Sequence, residues 1–467
     1  MSNEEKDLVK RIARLMEENK ELAIVNKKLS TKNDNLQEKV DRLKAEVEEA
    51  QATGGTAAGK SREKTLRFKM ATILFADIEG FGKLYEASNS HDIIDELDNI
   101  FFEFDQISEK YNIQKIKTIG DTYMSAGGVP VKNITNPIDV VMAALEMQHK
   151  LNKIQEERLL NNKKIWDIKL GMHTGPVTAT TMGRKKVSYN LKGDTVNIAS
   201  RMKASCEKGK INISVMTYEM VREYFNCEYF GKMPVKYKGD MDMYYVKGIR
   251  PELAADEKGL KPNHQFIIRY LLRQFSDLQE IVLDILEKGL PEYLYYHNVK
   301  HTIDVTSQAE LIGIGEGVND EEMLLLKTAG LFHDAGHTIA YEEHEYHGTQ
   351  MARKMLPDFH YTPEQIEKIC DLIMATKLPP QPKTKLEKIM CDADLDYLGR
   401  SDFIPVSNTL YKELSAQNKI GDIDSWNKLQ VKFISMHQYF TQTANNLREV
   451  NKQKQIERIK RLLPEEQ

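Results

Sequence analysis

The chain has 467 residues, of which 66 are lysine or arginine and 70 are aspartate or glutamate, so its formal net charge is −4. This balance lacks the positive charge on which binding to phosphate backbones depends, and we expect no nucleic-acid partner. The length exceeds what one hydrophobic core usually serves, which predicts two globular domains with extensions.

The amino terminus and the cysteines indicate the compartment. The opening residues, MSNEEKD, contain neither a basic nor an apolar segment of the kind found in signal peptides. No uncharged apolar run approaches the roughly 20 residues that cross a bilayer. The four cysteines have no CxxC spacing, so we expect reduced thiols. These features predict a cytoplasmic protein without a membrane partner.

The first fifty residues repeat every seven positions. Leucine recurs at this spacing from Leu8 to Leu43, and asparagine occupies three of the six positions that lie four residues after these leucines. Buried asparagines in a coiled coil favour two parallel chains, because each chain can satisfy the amides of the other. We predict a parallel dimeric coiled coil over residues 1–49, followed by a flexible linker over residues 50–65.

The pattern of apolar residues in the remaining sequence changes once, near residue 250. From residue 66 to residue 249, short apolar runs alternate with amphipathic stretches, as in KMATILFADI and DELDNIFFEFDQIS, which is typical of a domain of strands and helices. A polar stretch over residues 250–264 is the candidate interdomain linker. Over residues 265–467 nearly every segment has helical spacing, so we expect an all-α second domain.

Two aspartates stand where strand-like runs give way to turn residues, Asp77 in FADIEGF and Asp121 in KTIGDTYM. Taken alone, an aspartate at a strand end is more often a turn former than a metal ligand. Four segments in order change that interpretation: FADIEGF, KIKTIGDTYMSAGG, GDTVNIASRM and VKYKGDMDMYYV. They resemble, nearly letter for letter, the signature segments of class III adenylyl and guanylyl cyclases, and the resemblance spans about Phe68 to Lys247.

This resemblance implies an α+β ferredoxin-like (βαββαβ) domain that converts a nucleoside triphosphate into its 3′,5′-cyclic monophosphate and releases pyrophosphate. The reaction depends on two metal ions and on cations that stabilise developing charge. By the resemblance, Asp77 and Asp121 would hold two Mg²⁺ or Mn²⁺ ions, assisted by the carbonyl of Ile78.

The contacts to base and phosphates follow from the same resemblance. Lys117 occupies the purine-selecting position, where adenylyl cyclases have lysine and guanylyl cyclases have glutamate. A lysine only donates hydrogen bonds, which suits N1 of adenine and conflicts with the N1–H of guanine. Asn190 falls at the second purine position, where adenylyl cyclases usually have aspartate or threonine, so GTP stays open as an alternative to ATP. Lys236 or Lys238 would bind the β- and γ-phosphates.

Asn197 and Arg201 match the pair that orients the ribose and stabilises the transition state, and they lie four residues apart on one predicted helix face. In this family one subunit supplies the metal and base contacts and the other supplies this pair, so the resemblance implies a head-to-tail homodimer. The coiled coil would tether its two chains. The alternative is an inactive dimeric scaffold, which should lack one of these residues, and none is missing.

Histidines concentrate in the predicted helical domain. His297 and His301 are four residues apart, as are His333 and His337, and Asp334 follows His333. Such spacing places each pair on one helix face. The segments YYHNVKHTIDV, LFHDAGH and CDADLDYLGR resemble, in order, the motifs of HD-superfamily metal phosphohydrolases. The first also resembles that of eukaryotic cyclic-nucleotide phosphodiesterases.

The second resemblance implies one or two divalent metals, for which zinc, manganese, iron and magnesium are all compatible. The ligands of the first metal would be His301, His333, Asp334 and Asp394. His344 would complete a second metal position, and His297 would act as general acid. Three roles stay open for this domain: a cyclic-nucleotide phosphodiesterase, a hydrolase of another phosphate ester, and a regulatory module that binds metal or nucleotide.

Overall fold

The structure is a computed structural model that describes residues 65–79, 90–161, 166–182, 188–235 and 239–463. The predicted coiled coil over residues 1–49 lies outside the described residues, as do Lys236 and Lys238. None of the described helices has both the length and the apolar character that crossing a membrane requires. All four cysteines are free.

The amino-terminal part is built on one sheet with helices packed against it. The strands are β1 (Thr65–Glu79), β2 (Gln114–Ile119), β3 (Thr122–Gly127), β4 (Asp167–Met182), β5 (Ser188–Lys192), β6 (Lys210–Ser214), β7 (Phe225–Val235) and β8 (Gly239–Ile249). The helices are α1 (Ser90–Lys110), α2 (Asn136–Leu160), α3 (Asp194–Ala204) and α4 (Val215–Val221).

The sheet runs in the order β2-β3-β1-β4-β6-β8-β7, and β5 pairs with the carboxyl-terminal end of β4. Neighbouring strands are antiparallel except β4 and β6. The middle of β1 is buried from Ala71 to Ala76, as expected of an apolar run covered on both faces. Asp77 follows directly and pairs with Thr122 of β3, so its carboxylate stands at the end of a central strand, beside the turn that joins β2 to β3.

The predicted succession of β1, α1, β2, β3, α2 and β4 is present, and an α+β part is followed by helices as expected. The prediction of that fold class is confirmed at this level. The ferredoxin-like classification and the coiled coil stay predictions.

The stretch expected to be a linker is ordered. Leu253 is fully buried in the core of the sheet part, and Ala254 forms a bridge with Pro262. Asn263 then caps α5 (His264–Gly289) by accepting a hydrogen bond from the N–H of Phe266. The two parts of the chain are therefore joined by packed structure.

Helix α5 contributes to two hydrophobic cores. Phe266 packs in the core of the sheet part, with its ring edge-on to Tyr224 and Phe225 at 5.3 and 6.0 Å. Leu271 and Phe275 pack in the core of the helical part. The same helix thus belongs to both domains.

Polar contacts reinforce that connection. The Tyr270 hydroxyl on α5 donates a hydrogen bond of 2.8 Å to the carboxyl group of Asp139 on α2. Asp277, further along α5, accepts a hydrogen bond of 2.8 Å from the N–H of Ile134. Because Asp139 is buried, this contact belongs to the interior between the two cores.

The carboxy-terminal part is helical throughout its described residues. Its further helices are α6 (Val299–Gly315), α7 (Asp320–Phe332), α8 (His344–Met355), α9 (Pro363–Ala375), α10 (Lys385–Asp394), α11 (Phe403–Ala416), α12 (Ile423–Met436) and α13 (Gln442–Lys460). Asn298 caps α6 by accepting hydrogen bonds from the N–H groups of Lys300 and His301, which fixes the start of that helix beside His301.

Candidate functional site

Two aspartates lie at one end of β1. The N–H of Ile78 donates a hydrogen bond of 3.0 Å to the carbonyl oxygen of Asp121, which holds the turn between β2 and β3 against the strand end. Burial, together with the negative charge of Asp77, raises the pKa of Asp121. Two carboxylates close enough to repel each other suit a divalent cation, and oxygen ligands are those that Mg²⁺ and Mn²⁺ prefer. The residues present therefore fit the predicted metal ions.

The Asp77 carboxylate has two donors from its own chain. Thr122 Oγ1 donates a short hydrogen bond to Asp77 Oδ1. Lys203 Nζ, near the end of α3, lies 3.1 Å from the same oxygen. Lys203 was not among the predicted site residues, because a lysine in the last turn of a helix is ordinarily a favourable surface charge.

The predicted transition-state pair lies on α3, the helix that carries Lys203. Asn197 is exposed, and the Arg201 guanidinium donates a hydrogen bond of 3.1 Å to the carbonyl of Pro234 on β7. Within the described ranges, no hydrogen bond or ion pair joins Asn197 or Arg201 to either aspartate at the end of β1. The two groups of predicted cyclase residues are thus not in direct contact within one chain.

The predicted base contacts lie on two different strands. Lys117 is exposed on β2, where it pairs with Met124, and Asn190 is half-buried on β5, opposite Thr180. The candidate phosphate contacts, Lys236 and Lys238, fall outside the described residues and stay predictions.

Four predicted ligands converge in the helical part: His301 in the first turn of α6, His333 and Asp334 after α7, and Asp394 at the end of α10. His301 Nε2 lies 3.3 Å from Asp334 Oδ2 and 3.2 Å from Asp394 Oδ1. His333 Nε2 lies 3.2 and 3.5 Å from the same oxygens. Ligand atoms about 2.1 Å from one cation are roughly 3.0–3.4 Å apart, so the spacing of His301, His333 and Asp394 suits a single divalent metal, with Asp334 beside it.

The surroundings of this cluster favour a cation. His333 Nδ1 lies 2.9 Å from the carbonyl oxygen of Gly330, and donation there turns the Nε2 lone pair towards the cluster. Asp334 Oδ2 is buried, and among the described residues its close contacts with His301 Nε2 and His333 Nε2 do not have hydrogen-bond geometry. Burial alone would lower the pKa of His333, but Asp334 and Asp394 outweigh it and raise that pKa well above its usual value. Concentrated negative charge thus faces His333.

A second group of possible ligands borders the first. His297, Asp334 and His337 offer ligand atoms within 4.8 Å of one another, and His344 Nε2 lies 3.5 Å from Asp334 Oδ1. Both ring nitrogens of His337 are buried and have no hydrogen-bond partner among the described residues. Burial lowers the pKa of His337 to about 3, which keeps the imidazole neutral. The sequence analysis gave His337 no role, although its spacing of four from His333 was an available signal.

The predicted general acid is held by a residue that the sequence analysis missed. His297 Nδ1 lies 2.5 Å from Oε1 of Glu413, which is fully buried on α11. Glu413 Oε2 accepts hydrogen bonds from the N–H groups of Tyr296 and His297 at 2.9 and 3.1 Å. Burial would raise the pKa of Glu413, but His297 outweighs it and lowers that pKa. A carboxylate in this position fixes the orientation of the imidazole ring.

A cavity of about 490 Å³ opens beside these residues. Its lining combines polar side chains, among them His297, Asp334 and His337, with a set of apolar and aromatic side chains, here called the apolar wall. The apolar wall consists of Tyr397, Phe403, Leu410, Leu414, Trp426, Leu429, Phe433 and Ile434. Gln430 on α12 adds one amide to that wall, accepting from Ser407 and donating to Asn427. Such a lining suits a ligand that carries both a phosphate and a flat ring.

Two family models match the chain. Residues 64–248 match the adenylate and guanylate cyclase catalytic domain, and residues 298–396 match the HD domain. The first range contains Asp77, Asp121 and the α3 pair, and the second contains the four converging ligands of the helical part.

Curated relatives that match the chain include guanylate cyclases. A receptor-type guanylate cyclase of Caenorhabditis elegans, gcy-8, is 36% identical over 191 residues, which cover 40% of this chain and 16% of the relative. A membrane guanylyl cyclase of Dictyostelium discoideum is 34% identical over 175 residues, which cover 38% of this chain and 11% of the relative. The matched region therefore spans about a sixth or less of these relatives.

Solved cyclase structures also match about 40% of the chain. The guanylate cyclase domain of RhGC from Catenaria anguillulae is 30% identical, with a TM-score of 0.37, and covers 40% of this chain and 100% of its own. The adenylyl cyclase CyaB from P. aeruginosa is 28% identical, with a TM-score of 0.38, and covers 41% of this chain and 100% of its own.

Proposed function

Because the chain carries a class III adenylate/guanylate cyclase catalytic domain followed by an HD domain, we propose that it forms a 3′,5′-cyclic nucleotide in the first and hydrolyses one in the second. The observation that carries the cyclase assignment is that Asp77 and Asp121 lie close together at the end of β1. Two cations bound there would activate the ribose 3′-hydroxyl and neutralise the departing pyrophosphate.

The protein's own residues hold and orient the reactants. Asp77, Asp121 and the Ile78 carbonyl hold the two Mg²⁺ or Mn²⁺ ions. Asn197 orients the ribose so that its 3′-oxygen faces the α-phosphate, and Arg201 stabilises the charge that develops there. Lys236 or Lys238 binds the β- and γ-phosphates as they leave.

We propose that each cyclase site is shared by two chains. The absence of direct contact between the α3 pair and the two aspartates, in the part of the chain that the structure describes, supports this arrangement. A head-to-tail pair brings α3 of one chain to the β1 edge of the other and yields two sites per dimer. The coiled coil over residues 1–49 tethers the chains and raises their local concentration.

We assign ATP as the substrate on the basis of Lys117. Its ammonium group can donate to the bare N1 of adenine and has no acceptor for the N1–H of guanine. GTP is the second candidate, because the matching relatives are named guanylate cyclases and because an amide such as Asn190 can either accept or donate.

The test offers ATP and GTP separately, with Mn²⁺ or Mg²⁺, and identifies the products by mass. Lys117→Glu should lower turnover of ATP by about tenfold or more, since a carboxylate cannot donate to N1 of adenine. Lys117→Gln, which keeps a donor, is the matched control and should retain more of the ATP activity. An unaltered preference for ATP in Lys117→Glu would refute this account of base selection.

For the HD domain, the cavity supports hydrolysis of a cyclic nucleotide. The polar groups of its lining would place a phosphate beside the converging histidines and aspartates. A purine would pack against the apolar wall, next to the amide of Gln430. Water attacks phosphorus, the bond from phosphorus to the 3′-oxygen breaks, and His297 delivers a proton to that oxygen. The predicted divalent metal would supply Lewis-acid assistance when bound.

Incubation with cyclic AMP or cyclic GMP and Mn²⁺ tests this assignment. Gln430→Ala should weaken binding of the cyclic nucleotide, while His333→Ala should abolish its hydrolysis. If the loss of cyclic nucleotide does not depend on His333, the phosphodiesterase assignment is wrong, and the domain acts on another phosphate ester or serves as a regulatory module.

A further inference from the structure

A lysine that has no role in the proposed cyclase reaction lies beside the end of β1. Lys203 Nζ lies 3.1 Å from Asp77 Oδ1, and the two side chains are only 20% and 16% exposed. Water and salt screen such a pair less than they screen an ion pair at an open surface. The ammonium group therefore competes directly with any cation that binds this carboxylate oxygen.

Backbone packing imposes the position of this lysine. A Cβ on Gly171 of β4 would lie 1.9 Å from the backbone nitrogen of Lys203, so α3 packs directly on β4 with no side chain between them. Strand β4 in turn pairs with β1, where Lys169 is opposite Asp77. The root of the Lys203 side chain is thus fixed within reach of Asp77.

Other lysines near this edge have different partners. Lys169 and Lys208 pair with Glu79 at 2.5 and 3.3 Å, and Lys208 also pairs with Asp167 at 2.7 Å. The charge of Lys203 reaches Asp121 as well, where it partly offsets the rise in the pKa of Asp121. The positive charge of Lys203 therefore acts on both carboxylates that are proposed to hold metal.

We propose that Lys203 is the resident counter-ion of Asp77 and that a divalent cation must displace it on binding. This inference rests on the proposed cyclase function and deepens it. The ion pair ties the end of β1 to α3, the helix that carries Asn197 and Arg201. Binding of metal breaks that tie, so the two events are coupled: whatever draws the Lys203 side chain away from Asp77 favours metal binding, and the reverse.

Binding of Mn²⁺ to the full-length protein, followed by electron paramagnetic resonance of the free ion and without nucleotide, tests the proposal. Lys203→Gln should tighten binding at the cyclase site by about five- to tenfold, because the competing charge is gone. The HD domain is itself a candidate Mn²⁺ site, so each protein is measured beside its Asp77→Asn counterpart, and the difference isolates the cyclase site. Lys208→Gln is the matched control, with an expected change below about twofold.

Thermal unfolding gives a second readout. In EDTA, Lys203→Gln should melt at a lower temperature than the wild type, because Asp77 and Asp121 lose their neutralising charge. Added Mn²⁺ should then raise the melting temperature more in this variant than in the wild type, since ligand binding to the folded state stabilises it.

The outcomes separate this inference from the function on which it rests. Unchanged or weaker Mn²⁺ binding in Lys203→Gln, while Asp77→Asn still removes a site, overturns the counter-ion role and leaves the cyclase assignment standing. If Asp77→Asn removes no Mn²⁺ site in either background, the proposed metal site at β1 is itself wrong, and the inference falls with it.

Discussion

In the helical part, ligand atoms from α6, α10 and the end of α7 meet at 3.2–3.5 Å inside a single chain. In the sheet part, two aspartates stand at the end of β1 while Asn197 is exposed and Arg201 bonds to Pro234 on a different strand. Among the described residues, the first group of side chains makes its contacts within one chain, whereas no hydrogen bond or ion pair joins the two groups of the sheet part. Chemistry in the first should not depend on chain concentration, and chemistry in the second should.

The largest expected effect comes from removing one site at a time. Asp77→Ala should reduce cyclic-nucleotide formation on the order of 10³-fold or more while sparing hydrolysis, because it removes a proposed metal ligand from one domain only. His333→Ala should do the reverse. Formation and hydrolysis are measured separately on both variants, and loss of both activities from either substitution would show that the sites are not independent.

Mixing two inactive chains tests whether the cyclase site is shared. Asp77→Ala and Arg201→Ala chains, each inactive alone, should recover about a quarter of wild-type formation when unfolded and refolded together, since half of random pairs are mixed and each keeps one intact site of two. An inactive mixture that still forms mixed dimers would mean that both groups act within one chain. Mixing two batches of Asp77→Ala chains is the control.

Glu413→Gln probes the other site. The amide can still accept from the backbone N–H groups, but it stabilises a protonated imidazole less than a carboxylate does, so hydrolysis should fall roughly 10- to 100-fold. Glu413→Asp should restore part of the activity, and cyclic-nucleotide formation should be unaffected.

The smallest expected effect concerns the contact between the two parts. Burial raises the pKa of Asp139 to about 7, although Tyr270 donates a hydrogen bond to it. The folded chain therefore keeps a proton that the unfolded chain loses at about pH 4. The contribution of this bound proton to the free energy of unfolding is complete below about pH 4 and declines as the pH rises towards about 7.

Asp139→Asn should remove this dependence. Denaturant unfolding in EDTA at pH 5 and pH 7.5 would show a smaller difference in the free energy of unfolding than in the wild type. Asp98→Asn, at an exposed position on α1, is the control and should leave the difference unchanged. An equal pH dependence in Asp139→Asn and the wild type would exclude Asp139 as its source.

The local pattern of the sequence was sufficient for several features. Alternating apolar runs predicted the α+β part, helical spacing predicted the helices that follow, and motif order predicted that His301, His333, Asp334 and Asp394 lie together, as the structure shows. Their binding of metal stays a prediction. Each of these signals is local or belongs to a family motif, so it can be recognised without knowledge of the tertiary packing.

Other features depended on packing and left no local signal. Lys203 meets Asp77 across 126 positions of sequence, and Glu413 meets His297 across 116. Neither partner stands in a motif, and each is a residue type that usually lies at the surface. Their roles arise only when helices and strands are packed, which single-sequence reasoning does not supply.

The dual membership of α5 bears on how this protein can be divided. A fragment ending at residue 249 would lose Leu253 and Phe266, both buried in the core of the cyclase part, and would expose Tyr224 and Phe225 to water. Removing one such aromatic side chain from a core typically costs about 3–5 kcal/mol. Recombination between these domains in evolution, or excision in the laboratory, therefore has to carry α5 with the cyclase half and repair the surface it leaves behind on the other.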